Sequence, residues 1–546
     1  MRIGMWMKGV VAGMIIVFIL GSFSPGISEN ISNISMEKET LQYESIIKQL
    51  KSSYDWPNEQ WNNTFGGAYQ DTCYAVRQTL DDGYILIGET RLIEGGYHDL
   101  LLVKTDGNGN EQWIKTFGGG GGDYGCAVEQ TSEGGYLLLG NTLSYGPVNM
   151  NVWLIKTDAS GNELWNKTLS FGEHTSDEAF SMQHTADNGY IILGVTMEGN
   201  DWDIWLIKIN QDGIIQWDKT FDRTTGDGGY SVEQTEDNGF IIVGYSHNTE
   251  PFDNDLWLIK TDANGNQQWN RIFGQSGYES GYSVKQTQDG GYIITGETSS
   301  YGSGSADLWL IKTNAIGYEE WNKTFGGTGN DRGRSVLQDT DSGYITCGYT
   351  HSFGAGNSDL WLIKTDTNGI ELSNKTFGGT YWEHGECVQK TKDKGFIIAG
   401  STDSYGNGEE DCWLIKIESE YHPPNPPVIT GPTQGKIKVE TDYNFTATDP
   451  DNDEVYYFVD WGDKTNTSWI GPYPSGDLVT ESHTWSKKGA YTIKAKAKDA
   501  AGAESDWGTL PITVPYSLNL PALSFWMQLF ERFTQAFPLL RHLLGY

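Results

Sequence analysis

Carboxylates recur along this chain where they could share work. Asp71, Asp123, Asp227, Glu279, Asp331 and Glu383 open similar short segments, with Asp177 and Glu178 displaced in the third copy. Asp99, Asp203, Asp255, Asp307, Asp359 and Asp411 form a second series. A ring of such groups around an axis could hold a cation. Capping of each loop by its own side chain needs no ligand and uses the same residues. Repetition favours capping, because a metal needs one convergent cluster rather than seven equivalent ones. Asp449, Asp451 and Asp453 alternate within one loop, D-P-D-N-D, and that pattern suits calcium. An exposed acidic turn without metal reads equally well. No cofactor other than calcium is indicated.

Catalytic motifs are absent: the chain has no G-x-S-x-G, H-E-x-x-H or P-loop, and its histidines are scattered. A carboxylate pair for glycoside hydrolysis would need one loop set that departs from the others. The two-residue shift around Asp177, Glu178 and His184 is the largest such departure. Aromatic side chains offer a second chemistry, stacking on sugar rings or anchoring a protein partner. One loop set carries Tyr97, Tyr145, Trp202, Phe252, Tyr301, Phe353 and Tyr405; another carries Tyr69, Tyr124, Tyr278, Tyr381 and Trp382. Most suit packing between neighbouring loops. Tyr381-Trp382 break a Gly-rich consensus and are better binding candidates. The ligand-binding candidates are Tyr97, Trp202, Tyr301, Tyr381, Trp382 and Tyr405.

Two tryptophan combs position these loops. Trp61, Trp113, Trp165, Trp217, Trp269 and Trp321 share a spacing of 52, as do Trp153, Trp205, Trp257, Trp309, Trp361 and Trp413. Such a period signals a tandem repeat, either solenoid or propeller. Each copy holds four β-rich runs, a to d. D-x-G turns such as Asp237-Asn238-Gly239 join a to b, and D-x-x-G turns such as Asp262 to Gly265 join c to d. Run c is apolar on both faces, so its sheet lies between two others. Seven a-b-c sets occur, marked by Tyr84, Tyr136, Tyr190, Phe240, Tyr292, Tyr344 and Phe396. Only six d runs follow a c run; the seventh, around Trp61, precedes the first a run. Circular closure resolves this and leaves no repeat uncapped. The expected fold is all-β, a seven-bladed β-propeller whose N-terminal strand closes the last blade. The d–a and b–c loops then share one face, the candidate binding face.

The hairpin W-L-I-K-T-D-A-N-G-N from Trp257 resembles the c–d hairpin of PQQ-like and kelch-like propeller repeats, over residues 57–420. Quinoproteins of the PQQ class use adjacent cysteines near their cofactor, and this chain has no Cys-Cys pair. The resemblance implies the fold and not the cofactor. Past the Pro-rich linker 421–427, residues 428–515 lose the 52-residue period. Trp461-Gly462-Asp463 and Gly489-Ala490-Tyr491-Thr492-Ile493 resemble a PKD domain, an Ig-like β-sandwich, with Lys464 in place of the usual Gly. That resemblance implies an extracellular spacer or adhesion module.

Arg2, Lys8 and the apolar run Gly9 to Leu20 match a signal peptide over 1–28, with an uncleaved anchor as the alternative. A linker, 29–56, follows. The tail 516–546 places Trp526, Leu529, Phe530, Phe533 and Phe537 near one helical stripe, suited to docking or to a membrane surface. The five cysteines are irregularly placed and give no disulfide framework; buried small hydrophobes are expected. A net charge of −35 argues against nucleic acid, whose binding needs clustered Lys and Arg. The sequence therefore reads as a monomeric, exported, cell-surface or secreted binding or adhesion protein with a glycan or surface-protein ligand. The alternative is a carbohydrate-active hydrolase or lyase using acids on the same face.

Overall fold

The computed structural model describes residues 56–515 except 148, 173, 200, 248–252, 341, 419–422 and 501. The expected signal segment, nearly all of the 29–56 linker, Phe252 and the tail 516–546 lie outside the described residues. No helix occurs among the described residues.

The repeat region forms seven four-stranded antiparallel sheets, each in the order a-b-c-d. The turn chemistry explains the local folding. Asn238 and Lys394 take left-handed φ values of 62° and 66° in their a–b turns. Asp237 accepts the Gly239 N–H at 3.0 Å, and Lys260 reaches back from the c strand to the same carboxylate at 2.9 Å. Lys104–Asp81, Lys208–Asp187, Lys312–Asp289 and Lys416–Asp393 repeat that pair. A buried ammonium requires such a partner. Burial alone would raise Asp187 and Asp289, but hydrogen bonds from Thr185 and Thr287, and from the paired lysines, hold both down to about 2.

The b and c strands are the most buried elements. Asp307–Thr313, Asp359–Thr365 and Asp411–Ile417 are buried at every residue. Each burial of a Leu or Ile side chain contributes about 1.5–3 kcal/mol, so the b and c strands together carry most of the repeat core.

Six sheets take their d strand from the same copy. The seventh takes Glu59–Phe65, which pairs with Asp411–Ile417: Glu59 lies opposite Ile417 and Phe65 opposite Cys412. Trp413 Nε1 donates to Asn62 at 3.2 Å, as Trp309 donates to Asn322 and Trp361 to Asn374 within their own copies. Neighbouring sheets also share a recurring bond. Gln130 accepts the Leu80 N–H, Gln286 that of Glu236, and Gln338 that of Gln288. Gln78 accepts the Lys392 N–H in the same manner, which ties the last copy to the first. Strand Asp71–Gln78 packs on Glu383–Lys390 as well as on Asp123–Gln130. The architecture is that of a β-propeller.

One cysteine expectation fails. Cys73 and Cys412, 339 residues apart in sequence, form a disulfide. The pairing of Glu59–Phe65 with Asp411–Ile417 belongs to the same seam between first and last copies. Cys347 and Cys387 are buried free thiols, as expected of small hydrophobes.

Residues from Val428 to Val514 form two further sheets. One joins Val428–Thr430, Thr441–Thr446 and Val479–His483; the other joins Ile470–Tyr473, Val455–Asp460, Gly489–Lys498 and Gly508–Val514. Tyr443, Phe445, Tyr457, Trp461, Trp485 and Ile493 fill the space between them. Lys464 takes φ 75°, the conformation a Gly would adopt without steric cost.

Candidate functional site

The acids that open the a strands are all buried and cap loops. Asp71 accepts the Gly67 N–H at 2.7 Å, Asp123 that of Gly119 at 2.9 Å, and Glu383 that of Gly379 at 2.9 Å. The third copy is not displaced here: Asp177 stands opposite Thr196, as Asp123 stands opposite Thr142, and accepts the Phe171 N–H at 3.0 Å. Capping is therefore their role.

Chemistry concentrates further along the same strands. Three residues after the leading acid of each a strand stand, in turn, Tyr74, Cys126, Phe180, Tyr230, Tyr282, Arg334 and Glu386. Together with their neighbours they line a central cavity of about 430 Å³ bordered by all seven a strands. The residue after the b-strand Gly also varies, with five residue types among seven copies: Glu89, Asn141, Val195, Tyr245, Glu297, Tyr349 and Ser401. Elsewhere the copies repeat Gly, Val, Trp and Lys almost unchanged. That contrast was available in the sequence, and the loop-centred reading missed it.

These variable residues form one connected cluster. Arg332 Nε lies 2.5 Å from Glu297 Oε2, and Tyr282 Oη donates to Glu297 Oε1. Arg334 Nε lies 3.4 Å from Glu386 Oε2, and its guanidinium sits 4.6 Å over the Tyr282 ring. The Tyr349 and His384 rings are 4.3 Å apart; Tyr230 meets Tyr282 at 5.0 Å and Phe180 at 5.3 Å. On the cavity wall, Arg77 pairs with Glu129 at 3.1 Å; away from it, in the first copy, His98 pairs with Glu89 at 3.1 Å. Burial raises the carboxyls of Glu89, Glu178 and Glu386 above the usual range, and neighbouring cations only partly offset it at Glu89 and Glu386. Burial, then Arg334, pushes His384 down to about 4, so its ring is neutral near pH 7.

The loop aromatics divide. Tyr301 packs on Trp309 of its own sheet at 5.4 Å, and Tyr405 on Trp413 at 5.5 Å. Tyr405 also donates to the Gly378 carbonyl at 3.0 Å. Both have structural partners. Trp202 lies in strand Asp201–Ile209, opposite Met197. Tyr97, Tyr381 and Trp382 are 70%, 56% and 44% exposed. Trp382 adjoins the cavity cluster, its ring 5.3 Å from His351 and 6.4 Å from His384.

Asp449 Oδ1 accepts the N–H groups of Asp451 and Asp453, and Asp499 Oδ1 that of Ala503. Asp449 Oδ2 and Asp499 Oδ2 are buried and meet no donor among the described residues. Burial raises the Asp453 carboxyl, and Asp449, Asp451 and Asp499 raise it further. Three other carboxylates, Asp203, Asp222 and Asp227, bring one oxygen each within 4.8 Å of the others and could hold a cation. Asp222 stands where Gly66, Gly118, Gly274, Gly326 and Gly378 follow five of the other six d strands, and Ser170 the sixth.

Asp411 supplies a pH prediction. Burial, with Asp71 beside it, raises its carboxyl to about 6, despite the Asn407 N–H it accepts. Between the ordinary value near 4 and about 6, the folded state binds more protons than the unfolded state. Stability from this group therefore falls as pH rises through that window. Asp411→Asn is expected to gain stability relative to the native chain at pH 7 more than at pH 4. Urea melts at both pH values check it; an equal difference at both would remove the assignment.

No known protein family matches the chain, and no curated protein does. Solved structures do. The PKD domain of an M14-like peptidase from Thermoplasmatales archaeon SCGC AB-540-F20 is 51% identical, covering 18% of this chain and 99% of that one, with a TM-score of 0.17. This portion of the chain belongs with PKD domains. A GH43 β-1,3-galactosidase is 11% identical over 78% of this chain and 94% of its own, TM-score 0.30. A β-1,2-mannobiose phosphorylase from Listeria innocua, complexed with β-1,2-mannobiose, is 10% identical over 54% and 90%, TM-score 0.25. The described residues are all-β, with a repeat region of propeller architecture followed by a sandwich similar to a PKD domain.

Proposed function

We propose that this is an exported saccharide-binding protein. Its repeat region is a seven-bladed β-propeller closed by strand Glu59–Phe65, and the ligand enters the central cavity from the d–a and b–c face. The PKD domain is a spacer at the cell surface, and the tail 516–546 touches the membrane surface. One observation carries the reading: the repeat is nearly constant where it builds sheets, while the position that faces the cavity holds Tyr in three copies and Cys, Phe, Arg and Glu in the others. Aromatic faces beside paired carboxylates and guanidinium groups suit a hydroxyl-rich ligand. Tyr97, Tyr381 and Trp382 extend the binding face outward. Export is supported by the 1–28 segment and by the disulfide, a bond that persists in oxidising compartments.

A glycan array and a cell-wall pull-down with the full chain test this. Binding is expected, and Tyr230→Ala is expected to weaken it about tenfold or more without lowering the melting temperature much, since stacking contributes on the order of 1 kcal/mol or more. Absence of any saccharide or surface-protein binding would overturn it. The enzymatic alternative has its own support, the raised carboxyls of Glu89, Glu178 and Glu386, a state that suits a general acid. Polysaccharide turnover lost on Glu178→Gln would establish the hydrolase or lyase instead.

Calcium belongs to this proposal at the PKD loop, where Asp449, Asp451 and Asp453 are joined by Asp499. The two buried oxygens without donors favour an ion over a bare turn. Millimolar calcium is expected to raise the melting temperature by several degrees, and the rise should vanish in Asp499→Asn. An unchanged melting curve would leave the loop as a turn.

A further inference from the structure

Two guanidinium groups stand side by side near the d–a loops, one of them, Arg334, on the cavity wall. Arg332 and Arg334 come from one strand, Asp331–Gln338, whose β-bulge between Gly333 and Ser335 leaves Arg334 unpaired in the ladder and brings both guanidinium groups to the Tyr349 ring. Each has a glutamate as its ion-pair partner on the Nε side, Glu297 for Arg332 and Glu386 for Arg334, although neither Nε makes a hydrogen bond among the described residues. Glu297 is only 1% exposed and is also bound by Tyr282, so the Arg332 anchor is rigid. Neither arginine donates a hydrogen bond from Nη to another described residue, while both side chains keep about a third of their surface, at 33% and 28%. A guanidinium ion-paired on its Nε side still presents its Nη pair, a planar fork that fits a carboxylate.

The surroundings complete a recess beside those forks. Tyr349 lies beneath both guanidinium groups, 5.9 Å from Arg332 and 5.7 Å from Arg334. His384 packs on Tyr349, and its buried Nε2 has no partner among the described residues. The ring is neutral near pH 7, so it can exchange a hydrogen bond with a ligand without adding charge. Trp382 closes the outer side as an exposed ring. Glu89 and Glu178 belong to the first and third copies, away from this quadrant, and suit hydroxyl groups. Two pre-positioned forks, a neutral imidazole and an aromatic wall thus stand together.

We propose that the Arg332–Arg334 quadrant is a subsite for the carboxylate of an acidic saccharide, a uronate or sialate residue, whose ring rests on Trp382 or Tyr349. This rests on the saccharide reading above. The carboxylate accepts from the Nη groups, and the hydroxyls turn toward the acids of the opposite copies. The net charge of −35 works against capture of anions at long range, so selectivity comes from the forks at contact distance.

Calorimetric titration of the full chain with uronate- and sialate-bearing oligosaccharides, and with the same oligosaccharides after reduction of their carboxyl groups to alcohols, tests the subsite. The acidic forms are expected to bind at least about tenfold tighter, as charge-assisted bidentate bonds do. Arg334→Lys should abolish most of that ratio, because charge without the fork is not enough. The double variant Arg334→Gln, Glu386→Gln leaves no buried charge unpaired; with its melting temperature near native, it should bind acidic and reduced forms equally. Equal affinity of the native chain for both forms would overturn the subsite and leave the saccharide reading standing. Binding of neutral glycans alone has the same meaning. Binding of no glycan of either kind would overturn both.

Discussion

A chain that begins at Gly67 is expected to be insoluble, or to melt far below one that begins at Glu29. Removing Glu59–Phe65 strips the outer strand from Asp411–Ile417 and leaves that fully buried strand with an open edge. It removes the Asn62 partner of Trp413, the Trp61 ring that meets Tyr84 at 5.8 Å, and the buried Phe65. Loss of one buried aromatic alone costs about 3–5 kcal/mol, and an unpaired edge templates aggregation. Thermal melts and sedimentation of the two chains compare them directly. Equal melting temperatures would remove ring closure from the account and with it the shared binding face.

Cutting the Cys73–Cys412 bond should be nearly as costly. The loop it closes spans 339 residues, and the chain-entropy relation for a loop of that order gives about 5–6 kcal/mol. Measured effects of native disulfides are about 2–5 kcal/mol, so several kcal/mol is the working expectation. The Cys73→Ser, Cys412→Ser chain should melt several degrees lower, and reductant should move the native chain to the same value. It should leave the double-serine chain unmoved. Because both cysteines and the Glu59–Phe65 strand serve one seam, truncation and disulfide removal should be strongly non-additive. A native chain indifferent to reductant would refute a stabilising role for the bond.

What could be read beforehand follows from what repeats. The tryptophan combs, the D-x-G turns and the count of d runs report local chemistry copied many times, and each copy corroborates the others. The PKD segment was legible through Trp461-Gly462-Asp463 and the Gly489 strand. The disulfide was not, because its partners are distant and occur once. A trace existed: Cys73 fills the slot held by Gly125, Gly229, Gly281, Gly333 and Gly385, and Cys412 the slot of Leu256, Leu308 and Leu360. The cavity cluster was hidden for the opposite reason. Its residues lie within strands, where no motif or loop marks them. Tyr301 and Tyr405 lie in loops, yet both pack on their own sheet's tryptophan. Arg332, Arg334, Glu297 and His384 gain meaning only when strands from different copies face each other.

The seam has a mechanical consequence. The polypeptide enters the repeat region at Glu59 and leaves it at Ile417, and these two residues are paired with each other. Tension pulling these two ends apart would peel the pair one rung at a time, starting at Glu59–Ile417, which is the weakest way to load a ladder. The peeling runs toward Phe65 opposite Cys412, and there the covalent bond to Cys73 takes the pull. Force then passes from residue 73 to residue 412 through sulfur, and everything between them drops out of the load path. A tethered protein built this way would yield by one short strand under drag and then stop, with its cavity unstretched.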